Sequence, residues 1–194
     1  MKPALAPLAF ATEACNDSAF DDEAIGIGHD EGARSSLRDA LGQFATGVTV
    51  VTAAGADGQP VGVTINAFAS VSLAPPLLLW CLARASGSLP AVRAAPCHAI
   101  NVLASGQQAL CERFAARGIE RFAGADCRPG PCGTMLIAGA LAYFICRHRS
   151  VRVVGDHVVF VVEVVAYGAS PGAPLVFHGG GFAAVASADK PDKP

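Results

Sequence analysis

Pro60-Val-Gly-Val-Thr-Ile-Asn-Ala-Phe-Ala-Ser-Val-Ser-Leu-Ala-Pro-Pro-Leu-Leu-Leu-Trp-Cys-Leu-Ala-Arg-Ala-Ser-Gly-Ser88 is the stretch on which the reading of this chain turns. It holds two strand-like runs, Val61 to Phe68 and Leu77 to Leu82. A turn is expected between them, at Ser70, Ser72 and the Pro75-Pro76 pair. A short loop follows with one cation, Arg84, and two hydroxyls, Ser86 and Ser88. Small polar side chains at strand ends, followed by an Arg/Ser loop, suit a flat polar ring system with an anionic tail.

Around this stretch the composition is that of a folded domain. The chain has 194 residues, 52% hydrophobic and only 15% charged, enough to build a core without covalent staples. A mean hydropathy of +0.43 implies strands buried on both faces or apolar surface covered by a second subunit, and a homodimer is expected. The net charge of −2 is unevenly spread. Residues 1–33 form an acidic arm, and all eleven bases between Arg34 and Ala188 are arginines. Arginine suits phosphate contacts, although a compositional bias toward Ala, Gly and Arg explains the count equally well. Scattered arginines make no nucleic-acid patch. Seven cysteines at irregular spacing, with no Cys-x-x-Cys, argue against a disulfide framework and against a zinc site. They point to a reducing cytoplasm. Leu5 to Ala11 is too short and too weakly basic at its start for a signal peptide, and no apolar run is long enough to span a membrane.

Outward from the central stretch, Ser35 or Ser36 is placed to cap a helix carrying Leu37, Leu41 and Phe44. Val48 to Ala53 is a strand, returned by the Gly55-Ala56-Asp57-Gly58 turn. Leu77 to Leu82 is unbroken apolar sequence, which predicts a central strand covered on both faces. A short helix over Ser88 to Ala94, a strand over Ala99 to Leu103 and a helix over Gln107 to Ala116 follow. Phe122 to Gly133 reads as a loop. Ala140 to Arg149, Val151 to Val154, His157 to Val165 and Pro174 to Phe177 are strands. Many short strands with few helices predict a mainly β antiparallel barrel, with residues 34–186 as the domain and 187–194 as a disordered tail.

Two ordered blocks then carry a resemblance: Phe44-Ala45-Thr46-Gly47-Val48-Thr49-Val50-Val51-Thr52 and Gly62-Val63-Thr64-Ile65-Asn66-Ala67-Phe68-Ala69-Ser70-Val71-Ser72-Leu73-Ala74-Pro75-Pro76-Leu77. Phe122-Ala123-Gly124, Gly155-Asp156-His157 and Leu175-Val176-Phe177-His178 follow in the same order. From about Leu37 to Val185 the chain resembles the short-chain flavin reductases, the reductase components of two-component flavin-dependent monooxygenases. The resemblance implies a Greek-key split barrel that binds flavin between two subunits.

It also implies roles. Thr64, Ile65, Asn66, Ala67, Phe68, Ser70 and Val71 would lie against the isoalloxazine and ribityl chain of FMN or FAD; many members have Ser where Ala67 stands. Arg84, Ala85, Ser86, Gly87 and Ser88 would form the phosphate loop, and Arg117 and Gly118 would touch the cofactor tail. His157 would stand near the nicotinamide of NADH or NADPH, and Phe182 would close that side. Read from residue type alone, Asn66 and the serines are equally ordinary turn polarity, and Ser88 equally a helix cap. No Gly-x-Gly-x-x-Gly follows a strand, so a Rossmann domain is not expected, and no metal-ligand motif is present. The expected function is an NAD(P)H-dependent flavin reductase serving a partner oxygenase. The alternatives are a flavoprotein that keeps its FMN and passes electrons to a protein or corrinoid, and a non-enzymatic flavin- or haem-binding split barrel.

Overall fold

A computed structural model describes residues 31–185; the readings made for residues 1–30 and 186–194 lie outside the described residues. The chain divides into two compact units, Met1–Arg38 and Asp39–Pro194. The described part of the first is helical and belongs to α1 (Glu31–Gly42). Ser35 and Ser36, expected to cap this helix, are instead inside it, because the helix runs from Glu31, an acidic residue suited to a first turn. Leu37 and Leu41 of this helix are 59% and 67% exposed, and Phe44, read as part of it, lies beyond its end and is 78% exposed.

Twelve strands carry the second unit. They are β1 (Thr46–Gly47), β2 (Thr49–Ala54), β3 (Pro60–Ile65), β4 (Phe68–Leu73), β5 (Pro76–Ala83), β6 (Cys97–Val102), β7 (Cys127–Pro129), β8 (Met135–Ile137), β9 (Ala142–Val154), β10 (His157–Ala169), β11 (Val176–His178) and β12 (Gly181–Ala183). Two helices interrupt them, α2 (Leu89–Ala94) and α3 (Gln108–Ala115). The main sheet is antiparallel, in the order β3-β2-β6-β9-β10-β5-β4, with a three-stranded sheet β1-β11-β12 and the ribbon β7-β8 beside it. Val63 and Ile65 of β3 share one core cluster with Leu78, Trp80 and Leu82 of β5. Four strands separate β3 from β5 in the hydrogen-bonded order, so the sheet must roll to bring them together. This is the split-barrel architecture, rolled but open between its two edge strands.

Several expectations are corrected. Val61 to Phe68 is not one strand: β3 stops at Ile65, and β4 begins at Phe68. Ser70 and Ser72 lie within β4, not in a turn. The register slips between them, so Val71 is an extra residue on β4 and the period-two face is broken there. The reversal itself is confined to the Ala74-Pro75 step, so β4 folds back along β5. That makes β5 next to last in the sheet, not central. Its Leu78, Trp80 and Leu82 are buried, while Leu77, Leu79 and Cys81 are half-buried. The two readings for Ala140 to Arg149 and Val151 to Val154 are one long strand, β9, and the tract read as a loop after Phe122 holds β7.

Cys97 and Cys132 are joined as a disulfide, with Cα atoms 6.0 Å apart. Spacing gave no hint of this pair, which is 35 residues apart in sequence and brought together only by the fold. Cys81, Cys111, Cys127 and Cys146 are free thiols. Burial pushes the Cys146 thiol up to about 12, so it packs as a small hydrophobe.

The centre of the core is aromatic. Trp80 stacks on Phe160 at 4.3 Å, and His98 meets the edge of Trp80 at 5.3 Å and of His148 at 4.3 Å. His98 is fully buried, and its Nε2 bonds to the Val92 carbonyl at 2.8 Å. Its Nδ1 has no hydrogen-bond partner. Burial depresses His98 to about 4, with the nearby His148 acting in the same direction against the Val92 hydrogen bond. Burial holds His148 below its usual range as well. The unfolded chain therefore binds protons that the native core refuses, and stability present above pH 6.5 is lost as the pH falls toward about 4. From about 1.4 kcal/mol per pKa unit, His98 alone accounts for a loss of roughly 3 kcal/mol. Denaturant unfolding between pH 7.5 and 4.5 should show this decline, and His98→Phe should flatten it; an equal slope in both proteins would refute the assignment.

Candidate functional site

The site is built along β3. Period two sends Val63 and Ile65 into the core and leaves Gly62 and Thr64 for helix α3. Thr64 donates its hydroxyl to the Cys111 carbonyl of α3 at 2.7 Å. A Cβ on Gly62 would lie inside contact distance of the Phe114 ring, itself edge-on to Phe122 at 4.9 Å. Strand and helix thus approach at a distance only glycine permits.

Two cavities flank this contact and adjoin at Ala115, which lines both. The larger is a cleft of about 700 Å³ between β3, the loop after β5 and the loop after α3. Ala85, Ser86, Gly87 and Ser88 line one side, and Arg117 and Gly118 the other. Six of the residues singled out in the sequence, from two segments far apart in the chain, therefore line one cleft. Ser86 shapes the loop: its hydroxyl accepts from the Ser88 N–H at 3.3 Å and its carbonyl from the Leu89 N–H at 3.1 Å. Ser88 caps α2 by position, but its side chain makes no capping bond.

The smaller cavity, about 260 Å³, is lined by Thr64, Ile65 and Asn66 together with Cys111 and Phe182. Phe182 arrives from β12, held by β11 and packed edge-on to Phe177 at 5.7 Å. This wall is mostly apolar, with Asn66 exposed at its rim, a surface suited to a flat ring with a polar edge.

The remaining candidates line neither cavity. The Ala67 carbonyl accepts from the Cys81 N–H at 3.1 Å. Phe68 packs on the core and on Phe144 at 6.0 Å. Ser70 and Val71 are exposed on the edge strand β4. Arg84 is exposed, and its N–H donates to the Asp156 carbonyl at 2.9 Å. His157 opens β10 opposite Ala83, a residue of the cleft wall. Its Nδ1 lies 2.7 Å from the Asp156 carboxylate.

Among the cleft residues that were not anticipated, one is charged and bonded to two walls. Arg121 sits between β3 and the loop after β5 and bonds to both. It stands directly before Phe122-Ala123-Gly124, and that adjacency is the one signal the sequence offers.

A rolled antiparallel sheet, open between its edge strands and carrying two adjoining cavities, one of mixed and one of apolar lining, is a split barrel. A model of the flavin reductase like domain matches residues 41–186, and the chain belongs to that family. The FMN reductase (NADH) SmoA of Agrobacterium fabrum is 46% identical over 147 residues, 76% of this chain and 83% of that protein. The reductase subunit HsaB of a flavin-dependent monooxygenase from Rhodococcus jostii is 39% identical over 158 residues, 81% of this chain and 78% of its own length. Among solved structures, the NADH:FAD oxidoreductase SgcE6 of Streptomyces globisporus, in complex with NAD and FAD fragments, superposes with a TM-score of 0.78 at 36% identity, covering 84% of this chain and 99% of that one.

The Gly62 contact is testable. Gly62→Ala should lower stability by about 1–3 kcal/mol through overpacking against Phe114, read as a lower denaturant midpoint; an unchanged midpoint would show that α3 yields without cost.

Proposed function

We propose that this chain is an NAD(P)H-dependent flavin reductase that passes a hydride from NADH or NADPH to FMN or FAD and supplies the reduced flavin to a partner oxygenase. The observation that carries the reading is the pair of adjoining cavities along one strand. The polar cleft at Ser86, Gly87, Ser88, Arg117 and Gly118 suits a phosphate tail, and the apolar wall at Thr64, Ile65, Asn66 and Phe182 suits a tricyclic ring. The names of the relatives, NADH-dependent FMN reductase and monooxygenase reductase subunit among them, support the same activity.

Hydride transfer between nicotinamide and flavin is the chemistry of the two ligands themselves. The chain's own part is binding, orientation and exclusion of water. In this reading Asn66 offers its amide to the polar edge of the ring, Phe182 covers the ring on the side of β12, and Ser86 and Ser88 hold the tail. His157, oriented by Asp156, holds the nicotinamide dinucleotide at the cleft mouth. The domain is taken as residues 34–186. The exposed apolar residues Val71, Leu73, Val165 and Tyr167 support a homodimer. Among the described residues no helix is long and apolar enough to cross a membrane, and the proposed compartment is the cytoplasm.

Steady-state oxidation of NADH and NADPH, each with FMN and with FAD, tests the activity. Oxidation that depends on added flavin is expected, with the flavin separating from the protein on gel filtration; no oxidation with any pair would overturn the reading, and retained flavin without turnover would favour an electron-transferring flavoprotein. Asn66→Asp should weaken flavin binding roughly ten-fold or more, since it sets a carboxylate against ring acceptors, about 1.4 kcal/mol per decade. A fluorescence titration reads this, and an unchanged affinity would remove Asn66 from the site.

A further inference from the structure

The Arg121 guanidinium makes four hydrogen bonds, and none is to a carboxylate. Nε and Nη2 donate to the Ala116 carbonyl at 2.9 and 2.6 Å. Nη1 donates to the Gly62 carbonyl at 2.7 Å and to the Ser88 hydroxyl oxygen at 2.9 Å. One side chain thus ties together the loop after α3, strand β3 and the loop after β5, the three segments that enclose the cleft. Among the described residues, the ion pairs are Arg149 with Glu163 and His157 with Asp156. The positive charge of Arg121 is therefore held in the cleft wall by neutral acceptors, with Arg117 and Glu120 as the other charged residues lining it.

The bond to Ser88 has a chemical consequence. A serine hydroxyl has one hydrogen to give and two lone pairs to accept with. Arg121, which has donors only, occupies a lone pair of Ser88 and cannot take its hydrogen. Ser88 is nearly buried, at 7% exposure, yet lines the cleft. Its hydrogen is thereby reserved for an acceptor that enters the cleft, and the adjacent guanidinium favours an acceptor that is anionic.

We propose that Arg121 is the positioning residue that makes the Ser88 hydroxyl a committed donor to the phosphate of the flavin tail, so that it sets the preference for phosphorylated flavins over riboflavin. The inference rests on the flavin-binding reading of the cleft. It assigns Arg121 no contact with the reacting ring atoms, and it therefore separates tail recognition from hydride transfer.

The probes are FMN and riboflavin, which share the ring and differ in the phosphate. Dissociation constants come from fluorescence titration, and kcat and KM from NADH oxidation. Wild type should bind FMN more tightly than riboflavin. Arg121→Gln should cut that ratio roughly ten-fold or more. Arg121→Lys, which retains the charge and a donor, should restore part of the ratio and guards against a fold defect in the glutamine variant. Ser88→Ala should lower the ratio in the same way, and the double variant should lose little more than either single one, because both act through one hydrogen bond. Equal weakening of FMN and riboflavin in Arg121→Gln, or an unchanged ratio, would overturn the proposal and leave Arg121 a loop clamp. If wild type binds both flavins with the expected preference and the variant loses it, but NADH is never oxidised, the positioning role stands and the reductase activity falls. If wild type binds neither, both fall.

Discussion

Strand β3 has to satisfy two demands at once. One face must seal the core through Val63 and Ile65, and the other must receive α3 so closely that no side chain fits at Gly62. The groove exists because of this contact. Helix α3 meets the strand at Gly62 and Thr64, and the two cavities that share Ala115 lie beside this contact. A core residue and a site residue are therefore sequence neighbours along the whole strand, and a change that loosens the core is felt directly in the groove.

The same logic runs through the second element of the site. The loop after β5 carries no long side chain of its own into the cleft from residues 85–88; these are Ala, Ser, Gly and Ser. Small residues let the backbone approach an anion, but they cannot fix their own position. That is supplied from outside: by Ser86 closing on the Ser88 N–H, by the Ala83 carbonyl holding the Ser86 N–H at 3.0 Å, and by Arg121 reaching in from the loop after α3. Charge in the cleft therefore comes from the opposite wall, while Arg84, the cation within the loop itself, points into solvent beside Asp156.

Much of the fold was legible because its signals are local. The apolar runs around Val50, Trp80 and Phe160, the Gly55 to Gly58 turn and the helix over Gln107 to Ala116 each depend on a few neighbours in the chain. Boundaries failed where a partner strand decided them. The division of β3 from β4, the extra residue at Val71 and the place of β5 near the edge all follow from which strand pairs with which, and a single strand's pattern is silent on that. Leu37 and Leu41 show the converse: their spacing matches the helix that forms, yet both are exposed, and Phe44 lies past its end.

The sequence alone determined the class of fold, the chemistry available at Thr64, Asn66, Ser86 and Ser88, and the family to which the chain belongs, since residue type and spacing are written directly into it. Tertiary structure alone decided that Phe182 and Asn66 line one cavity, that Cys97 meets Cys132, and that Arg121 reaches Ser88 and Gly62 across 33 and 59 residues. Contacts of that separation are selected by how a rolled sheet closes on itself, which no local pattern encodes.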